Sequence, residues 1–141
     1  MGRTTGLVID LQKEAPNVVT EPKFRELLAQ GYQAEVLCRS DAYYKSAVWY
    51  GAWVLRVVDR EGTFERLLVN IPRRVTGEPE VAIKVFKTIN GLTTFMARMG
   101  FTHIHVPLLE GGRSSLALPT EVMERIRKEI TQAGAASDND G

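Results

Sequence analysis

Apolar and polar positions change period several times along this chain, and each change marks an element. After Thr20-Glu21-Pro22, the apolar residues Phe24, Leu27 and Leu28 fall at helical spacing. Thr20 suits a cap, Glu21 complements the positive end of the helix dipole, and proline is tolerated in a first turn whose N–H groups lack partners. Gly31 predicts the end of this helix. From Tyr32 the period falls to two: Ala34, Val36 and Cys38 alternate with Gln33, Glu35, Leu37 and Arg39, the mark of a strand with one buried face. The run from Ala47 to Asp59 is apolar on both faces, with Trp49, Trp53, Leu55 and Val57 against Val48, Tyr50, Val54 and Val58. That pattern predicts a strand central in its sheet.

Asp59-Arg60-Glu61-Gly62 predicts a polar turn, and Thr63 to Ile71 returns as the second arm of a hairpin. Gly77-Glu78-Pro79 predicts another turn, after which Val81, Ile83 and Val85 alternate with Ala82, Lys84 and Phe86 as a further strand. Thr88 then caps a helix whose apolar stripe is Ile89, Leu92, Phe95, Met96 and Met99, with Gly100 as its stop. Phe101 to Leu108 reads as a strand and Glu110 to Ser115 as a glycine-rich loop. Thr120 to Ala133 reads as a helix with Val122, Met123, Ile126 and Ile130 inward, ended by Gly134.

A helix, a three-strand meander, a strand, a helix, a strand and a helix predict an α+β fold. The sheet is expected to be antiparallel or mixed, with about five strands and two or three helices packed mainly on one face. Residues 1–19 are expected to form a loose lead-in, 20–134 a single domain, and 135–141 a disordered tail of small and acidic residues. At 141 residues and 44% hydrophobic, the chain can bury one core.

Charge narrows the partners. The 18 Lys+Arg residues against 17 Asp+Glu leave a formal charge of +1, so attraction to nucleic acid or anionic lipid has to come from a local patch. The single cysteine, Cys38, forms no internal disulfide and no zinc set, which predicts a reducing, cytoplasmic setting. Met1 to Asp10 has only the short apolar run Leu7-Val8-Ile9, below what a signal peptide or a membrane span needs.

The candidate chemistry is sparse. Tyr43, Tyr44, Trp49, Tyr50 and Trp53 crowd into eleven positions beside Arg39, Lys45 and Arg56. Aromatic rings next to cations suit single-stranded nucleic acid, where bases stack and phosphates need neutralising; the same rings suit a core or a homodimer interface. Arg66, Arg73, Arg74, Lys84 and Lys87 could join into a phosphate-contacting surface, although Glu65, Glu78 and Glu80 also fit a solvated, mixed-charge face. His103 and His105 stand two apart, as metal-binding histidines can, with Glu110 the nearest third ligand; two surface histidines are the better account, because a catalytic constellation requires several convergent groups. Gly111-Gly112-Arg113-Ser114-Ser115 could cradle an anion, but Leu116 to Pro119 separate it from the next helix start. No nucleophile elbow, Walker loop, dinucleotide fingerprint or zincin motif occurs, so a non-enzyme without cofactor or metal is expected.

From Trp53 to Leu108 runs a strand hairpin, then Glu80 to Phe86, then Lys87-Thr88-Ile89-Asn90-Gly91-Leu92 opening a helix that closes on Arg98-Met99-Gly100-Phe101. This stretch resembles small accessory proteins of plasmids and integrative elements of the partition-associated, ParC-type kind. The resemblance covers less than half the chain and transfers no catalytic residue. It implies maintenance of mobile DNA, with DNA or a partition or replication protein as partner. The residues expected to bind are Trp49, Trp53, Arg56, Arg66, Arg73, Arg74, Lys84 and Lys87. The alternatives are a homodimeric protein-interaction module that does not touch nucleic acid, and a small metal-dependent hydrolase or nuclease using His103, His105 and Glu110.

Overall fold

A computed structural model describes residues 17–70 and 81–139, with side chains to residue 134. The expected lead-in before residue 17, the turn at Gly77-Glu78-Pro79 and the last two residues of the tail lie outside that range. Among the described residues seven strands and three helices follow in order: β1 (Val18–Val19), α1 (Glu21–Ala29), β2 (Gln33–Lys45), β3 (Val48–Val58), β4 (Glu65–Asn70), β5 (Ala82–Ile83), β6 (Phe86–Thr88), α2 (Ile89–Met99), β7 (Arg113–Leu116) and α3 (Thr120–Asn139). The fold is α+β. The sheet path is β1-β4-β3-β2-β7, with β5 beside β4 and β6 beside β3, and it is mixed because β1 runs parallel to β4 while the other pairs are antiparallel.

β3 is central, as its doubly apolar pattern requires: β2 lies on one side, β4 and β6 on the other. One sheet face carries Ala34, Val36, Cys38, Trp53, Leu55, Val57 and Leu68 into a single core cluster with Phe24 and Leu28 of α1, Leu92, Phe95 and Met96 of α2, and Val122 and Ile126 of α3. Helices therefore cover this face. The intervening positions, among them Glu35, Leu37, Arg56 and Leu67, point away from it.

The helix ends follow local chemistry. Thr88 accepts a hydrogen bond from Gly91 N at 3.0 Å, a cap worth about 1 kcal/mol, and Gly100 closes α2 in the left-handed conformation at φ 117°. A Cβ on Gly100 would also sit 2.5 Å from Cγ1 of Val122, so both the backbone and the packing of α3 require glycine there. Thr20 stands at the N-terminus of α1 but its side chain makes no capping bond; Pro22 and Glu21 serve that end instead.

Five expectations are corrected. The strand expected over Val81 to Phe86 breaks in two, because the chain steps from pairing with β4 at Ile83 to pairing with β3 at Phe86. Phe101 to Leu108 forms no ladder: Ile104 and Val106 pack on the core, and the carbonyls of His105, Pro107 and Leu108 accept from Ser114 Oγ, Trp53 Nε1 and Ala42 N. The strand lies in the expected loop instead, where Arg113 to Leu116 pair with Leu37 to Ala34. Finally, α3 continues through Gly134 to Asn139, and Ile130, expected inward, is exposed.

Candidate nucleic-acid interface

The β2–β3 hairpin is longer than either strand's core contacts require, and its outer part forms an arm. Val36 pairs with Leu55 and Cys38 with Trp53 in the sheet body; farther out Tyr43 pairs with Tyr50, Tyr44 with Trp49 and Lys45 with Val48. Register shifts between Cys38 and Ser40 and between Ser40 and Tyr43 insert extra residues into β2. Such bulges bend and twist a strand. They separate the regular body of the hairpin from its tip. The tip turns through Ser46 and Ala47, with φ of 53° and 66°, the two-residue turn with both φ positive whose twist matches that of paired strands.

Directly opposite residues share a face and successive pairs alternate. Tyr43 and Tyr50 therefore lie on one face of the arm, and Tyr44 and Trp49 on the other. On the first face the rings stack at 5.6 Å between centroids, tilted by 23°; on the second they lie 5.5 Å apart at 51°. Tyr43, Tyr44 and Trp49 are 56%, 61% and 41% exposed. Lys45 shares the face of Tyr43 and Tyr50. Arg39 at the first bulge and Lys87, beside the Thr88 that pairs with Tyr50, are exposed near the base. Leu108 and Leu109 are exposed there too, held against the arm's base by the 2.8 Å bond from Ala42 N to the Leu108 carbonyl.

The two tryptophans expected to act together part company. Trp53 is fully buried, its indole N–H donates to the Pro107 carbonyl at 2.8 Å, and its ring lies over Gly51. It is a core residue. Trp49 remains available at the arm.

The expected basic surface is also divided. Arg56 lies on the sheet face turned away from the helices, opposite Leu67, and its guanidinium is taken by Glu35 and Glu65. Arg66 pairs across from Val57 and so lies on the other face, over the Phe64 ring at 4.3 Å. Lys84 lies 5.2 Å from the Phe86 ring centroid and 5.5 Å from that of Phe95. Cation–π contacts of this kind hold a charge against its own protein. Of the expected basic residues, Lys87 is the one the structure leaves exposed without such a contact among the described residues; Arg73 and Arg74 lie outside them.

His103 and His105 are exposed with ring centroids 5.8 Å apart. Among the described residues no group of three His, Cys, Asp or Glu side chains converges as metal ligands would. The Glu110 backbone N–H donates to Asp41 Oδ1 at 2.7 Å. In the glycine-rich segment, the anion cradle weighed from the sequence lacks two of its donors, because Gly111 N donates to the Cys38 carbonyl and Gly112 N to that of Leu109. Cys38 is buried with Sγ 3.1 Å from the Ser40 carbonyl oxygen. Desolvation pushes its thiol above the ordinary value, with Asp41 and Glu110 adding to the rise against the Ser40 hydrogen bond, so it stays protonated and unreactive.

The arm was only half visible in the sequence. Its rings were countable, but Ser46-Ala47 lacks the Asn-Gly signature of its turn type, and nothing local marked the bulges. No family model matches the sequence, and no significant relative is found among characterised proteins or among solved structures. The site is therefore read from its own geometry.

Proposed function

We propose that this protein is a non-enzymatic DNA-binding accessory factor that grips single-stranded DNA with the aromatic arm of β2 and β3. One observation carries the reading: Tyr43, Tyr44 and Trp49 expose their rings on a bulge-separated hairpin, where the core has no use for them. Burying such rings is favourable, so leaving three of them in water invites a partner. Bases supply flat faces for stacking, and Lys45, Arg39 and Lys87 supply charge for a few phosphates. A setting in plasmid or mobile-element maintenance is part of this proposal, on the resemblance read from residues 53–108 alone. No described helix is long and apolar enough to cross a membrane, which fits a cytoplasmic role.

Fluorescence anisotropy of a labelled single-stranded oligonucleotide tests this. Stacking is worth about 1–3 kcal/mol per base, so replacing Tyr43, Tyr44 and Trp49 together by alanine should weaken binding by roughly ten-fold or more, while Arg66→Ala should leave it unchanged. Three cations give a salt slope no steeper than about −2 for a single strand. Retained affinity in the arm variant would end the proposal.

A second reading is favoured by Leu108 and Leu109, whose exposed side chains extend the arm's apolar surface. In that reading the arm is a homodimer interface. Sedimentation over a range of concentrations decides: self-association lost on Trp49→Ala, with no oligonucleotide binding, would replace the first reading by the second.

A further inference from the structure

The arm is two-sided, and that property is not needed to hold one strand. A surface that holds a single strand needs rings on one face only, as on a sheet whose reverse is packed against helices. Here Tyr43 and Tyr50 occupy one face and Tyr44 and Trp49 the other, because the two cross-strand pairs are adjacent in register. Both faces carry exposed rings, so two separate stacking platforms stand back to back on one ribbon. The ribbon ends in Ser46 and Ala47, which are small. Its thickness, two layers of side chains about a backbone ribbon, is on the order of 10 Å.

We infer that the arm binds where two DNA strands diverge from a duplex, with one unpaired strand stacking on Tyr43 and Tyr50 and the other on Tyr44 and Trp49. The inference rests on the single-strand reading above and deepens it. An intact duplex offers no such access, since its bases are stacked on both sides and reaching them costs a few kcal/mol per unstacked base. At a fork that cost is already met. Lys45, at the tip and on the Tyr43 face, stands where the strands are closest and their phosphates crowd together. The aromatic rings are sequence-tolerant platforms, so the recognised feature is the branch and not a base sequence.

The full-length protein is titrated against four DNAs of matched length: a single strand, a blunt duplex, a duplex with one unpaired tail, and a fork with two. The fork should bind at least ten-fold tighter than the single strand, the one-tailed duplex should resemble the single strand, and the blunt duplex should bind weakest. Tyr43→Ala with Tyr50→Ala, and separately Tyr44→Ala with Trp49→Ala, should each reduce fork binding to the level of one tail. With 2-aminopurine in either tail, each pair of substitutions should abolish quenching in a different tail. The Tyr43→Phe, Tyr50→Phe variant keeps the rings and should bind the fork normally; its failure alongside a native far-UV spectrum would overturn the stacking argument. Equal affinity for fork and single strand, with unchanged dependence on the rings, overturns the two-strand inference and leaves the single-strand reading standing. Binding to none of the four DNAs overturns both.

Discussion

Replacing Gly51 by alanine tests where the buried indole lies. A Cβ at position 51 would fall 2.6 Å from Cη2 of Trp53 and 3.0 Å from Cζ2 and Cζ3. These are rigid ring atoms of a residue with no solvent exposure, and the indole N–H is tied to the Pro107 carbonyl. The ring cannot swing aside cheaply, so Gly51→Ala should destabilise by about 1–3 kcal/mol, the usual cost of overpacking. Trp53→Phe removes the clashing atoms and should itself cost about 1–3 kcal/mol through the lost volume and the orphaned carbonyl. In that background Gly51→Ala should be near neutral, or stabilising by up to about 1 kcal/mol, because alanine loses less entropy than glycine in a strand. The coupling between the two sites is then roughly 2 kcal/mol. Urea unfolding followed by far-UV circular dichroism gives all four stabilities, and a coupling of this size moves the midpoint by about 1 M at a slope near 2 kcal/mol/M. Two substitutions that simply add, within about 0.5 kcal/mol, would place the indole elsewhere and remove the reason for calling Trp53 core.

Two other outcomes follow from local geometry. Ser46 and Ala47 both hold positive φ, a conformation that costs a residue with a Cβ about 1–2 kcal/mol; Ala47→Gly should therefore stabilise by roughly 0.5–1 kcal/mol after glycine's greater unfolded entropy is subtracted, seen as a rise in Tm of a few degrees, and a fall would refute the turn geometry. Asp59 is held below its ordinary value of 3.8 first by the hydroxyl of Thr63 and then by the N–H groups of Phe64 and Thr63. Its folded value is depressed, so its stabilising effect is present above the ordinary value and is lost as pH falls through the folded one. The stability gap between the native chain and Asp59→Ala should be open at neutral pH and close in strong acid; a gap independent of pH would show that the carboxylate does not hold this turn.

Much of the fold was legible because its signals are local. The helical stripe from Ile89 to Met99, its Thr88 cap and its Gly100 stop depend on residues within one or two turns of each other, and they form as read. The hairpin through Asp59 and Gly62 is local in the same way. Strand pairing at long range is another matter. Phe101 to Leu108 has the apolar pattern of a strand, yet the edge of β2 that could receive a strand is taken by Arg113 to Leu116, and no pattern within either segment decides which of them gets there. The binding residues divide on the same line: Arg56 and Arg66 are ten positions apart on paired strands, and their faces follow from register, which a shift of one residue would reverse.

By itself, then, the sequence determined the helix capped by Thr88, the central apolar strand, the α+β class and the presence of five rings within eleven positions, because periodicity and capping act between near neighbours. Only the tertiary structure decided that Trp53 is sealed while Trp49 is not, that Arg56 is spent on Glu35 and Glu65, and that the remaining rings stand on two sides of one arm. The reason is physical: burial, ion pairing and facing are properties of pairs of segments brought together by the fold, and a run of residues carries only its own half of each pair.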